Sequence, residues 1–143
     1  MNDEEDIQKL FDAYKAAVHA KDVDAFVAMY ENDVQAFDMW GRCSYVGADQ
    51  WRAMADQWFS SLGGERVAVE FHQIRTAVGE RVAAAHAFVT FKGFASDGKP
   101  LHSMDNRLTW VLRKAPHGAW KIVHQHTSAP IDSVTSKSSC RGR

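Results

Sequence analysis

A chain of 143 residues with a net charge of −1 and a pI near 6.6 is one domain, long enough to bury roughly two-thirds of its unfolded surface. The balanced charge excludes the basic footprint of a nucleic-acid binder or of a protein held on an acidic membrane, and no apolar run approaches the ~20 residues that span a bilayer. The acidic start, Met1 to Asp6, is unlike the basic start of a signal peptide, and Cys43 stands far from Cys140 in its polar tail, so a reduced, cytoplasmic protein without a structural disulfide is expected.

Asp3 to Ala20 reads as a helix, because Ile7, Leu10, Phe11, Tyr14, Ala17 and Val18 repeat at the spacing of one apolar face. Asp3 is placed to cap it, and the acids of its first turn suit the dipole. Asp22 caps a second short helix that carries Phe26, Val27 and Met29 and ends near Tyr30. Val34 to Trp40 is a short extended piece broken by Gly41. Gly47 to Leu62 is a third helix, with Trp51, Met54, Ala55, Trp58 and Phe59 on its buried side and Gly63-Gly64 as its stop.

The period then changes to two. Arg66 to Val78 and Arg81 to Phe94 read as strands joined by the Gly79-Glu80 turn. Ser96 to Pro100 is a turn cluster, Leu101 to Lys114 a third long strand, and Trp120 to Ser128 the last. Residues 1–131 form the domain, and 132–143, rich in Ser, Lys and Arg, read as a flexible tail. Helices followed by an antiparallel meander define an α+β protein, a cone-shaped curved sheet packed on N-terminal helices with a cavity between the layers. The outer face needs a cover, and Val123, Thr127 and outward-facing aromatics suggest a homodimer.

In the closing strand, strict alternation puts Trp120, Ile122, His124, His126 and Ser128 on one face and Lys121, Val123, Gln125 and Thr127 on the other. The first face passes from apolar wall to polar floor, the pattern of a pocket, because buried polar groups need partners.

This element order, with Trp120-x-Ile-x-His-x-His-x-Ser128 and Arg107-x-Thr109, resembles the SnoaL-like branch of the nuclear-transport-factor-2-like superfamily over residues ~5 to 131. The ending is also similar to the association domain of calcium/calmodulin-dependent protein kinase II. The resemblance implies a cystatin-like cone with a deep pocket, usually a homodimer, in a superfamily that holds isomerases, cyclases, dehydratases, hydroxylase subunits and binding modules without chemistry. The segment Tyr30 to Gly41 is similar to the stretch of bacterial ketosteroid isomerases that carries their general-base aspartate. That register implies Asp38 as the base, Tyr14 as an oxyanion-hole donor and Asp105 as the oxyanion-hole acid. A carboxylate base opposite a tyrosine and a neutral acid is the arrangement known for those isomerases.

Asp38 among hydrophobes would have its carboxyl raised by desolvation, as a base near neutral pH requires. Alternatively it bonds the following loop. Tyr14 either donates to a ligand or packs as a core tyrosine with a satisfied hydroxyl. Asp105 and Arg107 share a face and could pair with each other, and Arg107 in the cavity would anchor a carboxylate or carbonyl. His124 and His126 could be pocket groups, satisfied core residues or, with His72 and His86, metal ligands, but no carboxylate completes a set, so no metal is expected. His19, His102 and His117 read as surface or turn residues, and Cys43 has no adjacent base. Trp40, Trp58, Phe59, Phe88 and Trp110 are divided between core and pocket, with Trp40, Trp58 and Phe88 as candidate ligand contacts. The expected partner is a small apolar or carboxylate-bearing ligand, and the expected reaction, if there is one, is a cofactor-independent isomerisation or cyclisation. The alternative is a binding or assembly module without chemistry.

Overall fold

A computed structural model describes residues 2–131. Three helices, α1 (Asp3–Ala20), α2 (Val23–Val27) and α3 (Ala48–Ser61), cover one face of a six-stranded sheet. Its strands are β1 (Tyr30–Phe37), β2 (Tyr45–Val46), β3 (Arg66–Val78), β4 (Val82–Phe94), β5 (Pro100–Lys114) and β6 (Trp120–Ser128). They lie in the order β2-β1-β6-β5-β4-β3. The meander β3 to β6 is antiparallel throughout, whereas β1 joins β6 in parallel. The sequence segment 132–143, read above as a flexible tail, lies outside the described residues.

Local chemistry explains the helix ends. Asn2, not Asp3, caps α1: its Oδ1 accepts from the Glu4 N–H at 2.8 Å. Asp22 caps α2 as expected, accepting from the Ala25 N–H at 3.1 Å. Lys21 closes α1 in the left-handed region and its Nζ donates to the carbonyls of Gly63 at 2.6 Å and Glu65 at 2.9 Å. That contact ties the end of α1 to the turn between α3 and β3.

The inward phases of the strands meet the helices in an aromatic core. Phe11 of α1 stacks on Trp110 of β5 with centroids 4.3 Å apart, and Phe71 closes on Phe11 edge-on at 4.8 Å. Ile7, Val18, Phe26, Leu108, Leu112 and Ile122 complete it, all essentially removed from solvent.

The closing strand departs from strict alternation. Leu112 pairs with Ile122 but Val111 pairs with His124, so one extra residue is accommodated at Val123. Such a bulge shifts the side-chain phase by one. Trp120 and Ile122 point inward before it, Gln125 and Thr127 after it, while His124 and His126 turn to the outer face. Thr127, expected outside, is therefore inside. Cys43, read as an unpaired thiol, is disulfide-bonded; Cys140 lies outside the described residues. Among the described residues no helix is long and apolar enough to cross a membrane.

Candidate functional site

Between sheet and helices lies a cavity of about 470 Å³, within the range of small-molecule sites. Its apolar wall comes from Trp51, Met54 and Trp58 of α3, from Leu62 at that helix's C-cap and Phe26 of α2 beside it, and from Phe91 and Met104 of the sheet. Trp40, 58% exposed, stands at the cavity's margin. Gly41 beside it is held at a φ of 81°, and a Cβ there would lie 2.9 Å from the Tyr45 hydroxyl, so the loop closes against Tyr45 only as glycine. Gly93 has a similar role, since its Cβ would meet the His102 ring at 2.8 Å. His102 is exposed, as expected of a surface residue, and also stands among the cavity-lining residues.

Polar side chains interrupt this apolar wall. Asp38, one residue past the end of β1, accepts from Thr127 Oγ1 at 2.9 Å. Burial raises its carboxyl above the ordinary 3.8, and the hydrogen bonds from Thr127 and from the backbone N–H groups of Trp40 and Met39 offset only part of that rise. Tyr14 is buried on the inward face of α1. Burial first, and the nearby Asp38 charge second, push its hydroxyl well above the ordinary tyrosine value, so it remains a proton donor at all physiological pH. No residue among those described takes its hydroxyl proton.

Asn106, 6% exposed, lines the cavity from β5, and its Oδ1 has no hydrogen-bond partner among the described residues. Gln125, 2% exposed, accepts at Oε1 from the Tyr30 hydroxyl at 2.5 Å and from Trp110 Nε1 at 2.9 Å. An unpaired buried amide oxygen costs on the order of 1–3 kcal/mol, a cost that a bound polar molecule relieves.

Tyr14, Asp38, Trp40 and Trp58 are therefore brought to one cavity, as the sequence reading expected. Asp105, Phe88, Arg107, His124 and His126 are not: all five lie on the outer face of the sheet. On β5 the residues pointing inward are Met104, Asn106, Leu108 and Trp110, which forces Asp105 and Arg107 outward. There Asp105 accepts from Thr90 Oγ1 at 2.7 Å and Arg107 Nε donates to Ser128 Oγ at 3.1 Å; they do not pair with each other. Phe88 pairs across the strands with Arg107 and is 49% exposed. His124 Nδ1 bonds the Gln35 carbonyl at 2.8 Å, and its ring packs on Phe37 at 4.8 Å. With Arg107 outside, no lysine or arginine among the described residues lines the cavity, and His102 is the basic side chain that does. Among the described residues no three metal-ligating side chains cluster.

Asn106, Gln125 and Thr127 line the cavity without having been expected there. Asn106 was recoverable, because it shares the phase of Leu108, Trp110 and Leu112. Gln125 and Thr127 were hidden by the bulge. Because Asp105 faces away from the cavity, Asp105→Asn is expected to leave ligand affinity and any turnover within about twofold of wild type. A loss of a hundredfold in a ligand titration would return it to the site.

A helix-covered cone with a largely apolar cavity and polar groups at its wall is the architecture of a small-molecule-binding α+β domain. The chain belongs to the SnoaL-like domain family, whose model matches residues 7–132. Among solved structures it is similar to an NTF2-like protein of unknown function from Pseudomonas putida KT2440, with 25% identity, a TM-score of 0.81 and coverage of 94% of this chain and 92% of that one. An NTF2-like protein with a cystatin-like fold from Novosphingobium aromaticivorans shares 19% identity with a TM-score of 0.77, covering 92% and 85%. An uncharacterised protein with a cystatin-like fold from Caulobacter vibrioides shares 19% identity with a TM-score of 0.73, covering 92% of each chain. No curated protein matches the sequence.

Proposed function

We propose that the protein catalyses a cofactor-independent proton transfer, an isomerisation or cyclisation, on an uncharged, mostly apolar ligand that carries a carbonyl group. The observation that carries this reading is the meeting of a carboxylate raised by burial, Asp38, with an uncommitted tyrosine hydroxyl, Tyr14, at one cavity. Asp38 removes a proton from the carbon beside the carbonyl. The C–H electrons form the new C=C bond, the carbonyl oxygen takes the negative charge, and Tyr14 donates to it. Return of the proton to another carbon completes an isomerisation. No electron is gained or lost overall.

The test is incubation in D2O with a panel of apolar enolisable ketones, with deuterium incorporation read by mass spectrometry. Exchange by the wild type that Asp38→Asn loses supports the reading; equal exchange by both proteins removes Asp38 as the base. One observation favours a second reading, a binding module without chemistry: the Asp38 carboxylate is already engaged by Thr127 and the loop backbone. A copurifying ligand bound in the cavity, with no exchange of any ketone, supports that alternative.

We further propose a homodimer formed through the outer sheet face. Phe88, Arg107 and Ser128 form one row across β4, β5 and β6, and Phe37 packs beside His126 at 5.5 Å. The face carries exposed aromatics and both signs of charge, so it can complement a second copy of itself. Phe88→Asp is expected to halve the mass measured by sedimentation without changing the melting temperature of the subunit fold. An unchanged mass would assign the face another role.

A further inference from the structure

We propose that Gln125 supplies a second hydrogen-bond donor, beside Tyr14, to the ligand's carbonyl oxygen; this rests on the proton-transfer reading above. The orientation of its amide is set by chemistry. An indole N–H can only donate, so the atom that meets Trp110 Nε1 at 2.9 Å must be the amide oxygen. The Tyr30 hydroxyl donates to that same oxygen at 2.5 Å. Both donors come from side chains that are themselves buried in the core, so the oxygen is pinned on two sides and the amide cannot turn without losing both bonds. Among the described residues no acceptor takes the Nε2 hydrogens, and they are left to the cavity that Gln125 lines.

The electrostatics of the reaction call for such a donor. Before proton transfer the negative charge sits on Asp38; afterwards Asp38 is neutral and the charge sits on the ligand oxygen. Among the described residues the cavity has no lysine or arginine to follow that movement. Fixed neutral dipoles aimed at the oxygen are what remains, and pre-set donors gain most where water is excluded. The sequence resemblance gave the second donor's role to Asp105, which faces out. Gln125 fills that role from β6, and only because the bulge at Val123 turns it inward.

The test needs no knowledge of the substrate. 2-Naphtholate has its charge on an oxygen attached to a flat apolar frame, like an enolate, and naphthalene has the frame without the oxygen. Both are titrated by fluorescence against Asp38→Asn, whose neutral side chain reproduces the cavity's charge after proton transfer. In that background Gln125→Leu is expected to weaken naphtholate about ten- to a hundredfold, the size of a hydrogen bond to a charged group, and to leave naphthalene unchanged. Should the donors of Trp110 and Tyr30, left unpaired, unfold Gln125→Leu, adding Trp110→Phe and Tyr30→Phe removes both of them, and the combined variant is expected to lose naphtholate and retain naphthalene. If either folded variant binds naphtholate as tightly as its parent, or weakens both compounds equally, the donor role of Gln125 is overturned. Tyr14→Phe separates the two levels. Weakening by Tyr14→Phe alone leaves the proton-transfer reading standing without Gln125, and no weakening by either substitution removes both.

Discussion

Asp38→Asn is expected to lose about two to four orders of magnitude in proton exchange, the usual worth of a positioned general base. The substitution is close to isosteric, and Thr127 can still donate to the remaining oxygen, so the loss would report chemistry and not collapse of the site. Stability is expected to be unchanged or raised at neutral pH. The folded protein holds the Asp38 proton more tightly than the unfolded chain, because burial raises the carboxyl above 3.8. In the window from 3.8 up to that raised value the native state binds more protons than the unfolded state, so stability falls as pH rises through it. Asparagine carries no charge and escapes the loss. The melting temperature of the variant minus that of the wild type should therefore be zero or positive at neutral pH and shrink as the pH is taken below 3.8. Thermal melts at several pH values decide it. A variant markedly less stable at pH 7 than the wild type would show that the hydrogen bonds from Thr127, Trp40 and Met39 outweigh burial, which is the mark of a structural carboxylate. The pH dependence of exchange follows with the opposite sense: activity needs the carboxylate, and rises through the same raised value.

The helices and long strands were legible because their periodicity is set by burial. α1, β3 and β6 run over the residues their apolar spacing predicted, and the other long elements differ by a residue or so at their ends. The two-residue strand β2 was not legible, being too short to show a period. The parallel pairing of β1 with β6 was not legible either, since it depends on how the helices return the chain to the sheet. The error with the largest consequence lies in β6. After Ile122 and Val123, which are both apolar, the residues on either phase are polar: His124, His126 and Ser128 or Gln125 and Thr127. Alternation cannot register a one-residue slip where neither face is apolar. On β5 the opposite holds. Leu108, Trp110 and Leu112 mark the inward phase, so the outward placement of Asp105, Arg107 and Thr109 was written in the sequence. The charged pair drew the functional reading away from Asn106. The outcome is that Tyr14 and Asp38 line the cavity, while Asn106, Gln125 and Thr127 line it where Asp105, Arg107, His124 and His126 were expected.

Trp110 joins that site to the core, and its replacement carries the largest expected cost in stability. It is fully buried, stacks on Phe11 at 4.3 Å, and donates to Gln125. Trp110→Ala is expected to cost about 3–5 kcal/mol, the range for removing a large aromatic side chain from a core that relaxes only in part. Against a total of roughly 5–15 kcal/mol for a domain, that loss brings the protein close to unfolding at its working temperature. Trp110→Phe separates the two contributions. The ring is retained and so is much of the stacking on Phe11, so the destabilisation should be well below that of alanine. The indole N–H is lost, and Gln125 keeps only the Tyr30 hydroxyl as an anchor. Its amide is then free to turn, and the cavity should meet an acceptor where it now meets a donor in part of the population. Chemical denaturation of the two variants measures the first effect. If Trp110→Ala proves as stable as Trp110→Phe, the β5–α1 stack is not what holds the cone together.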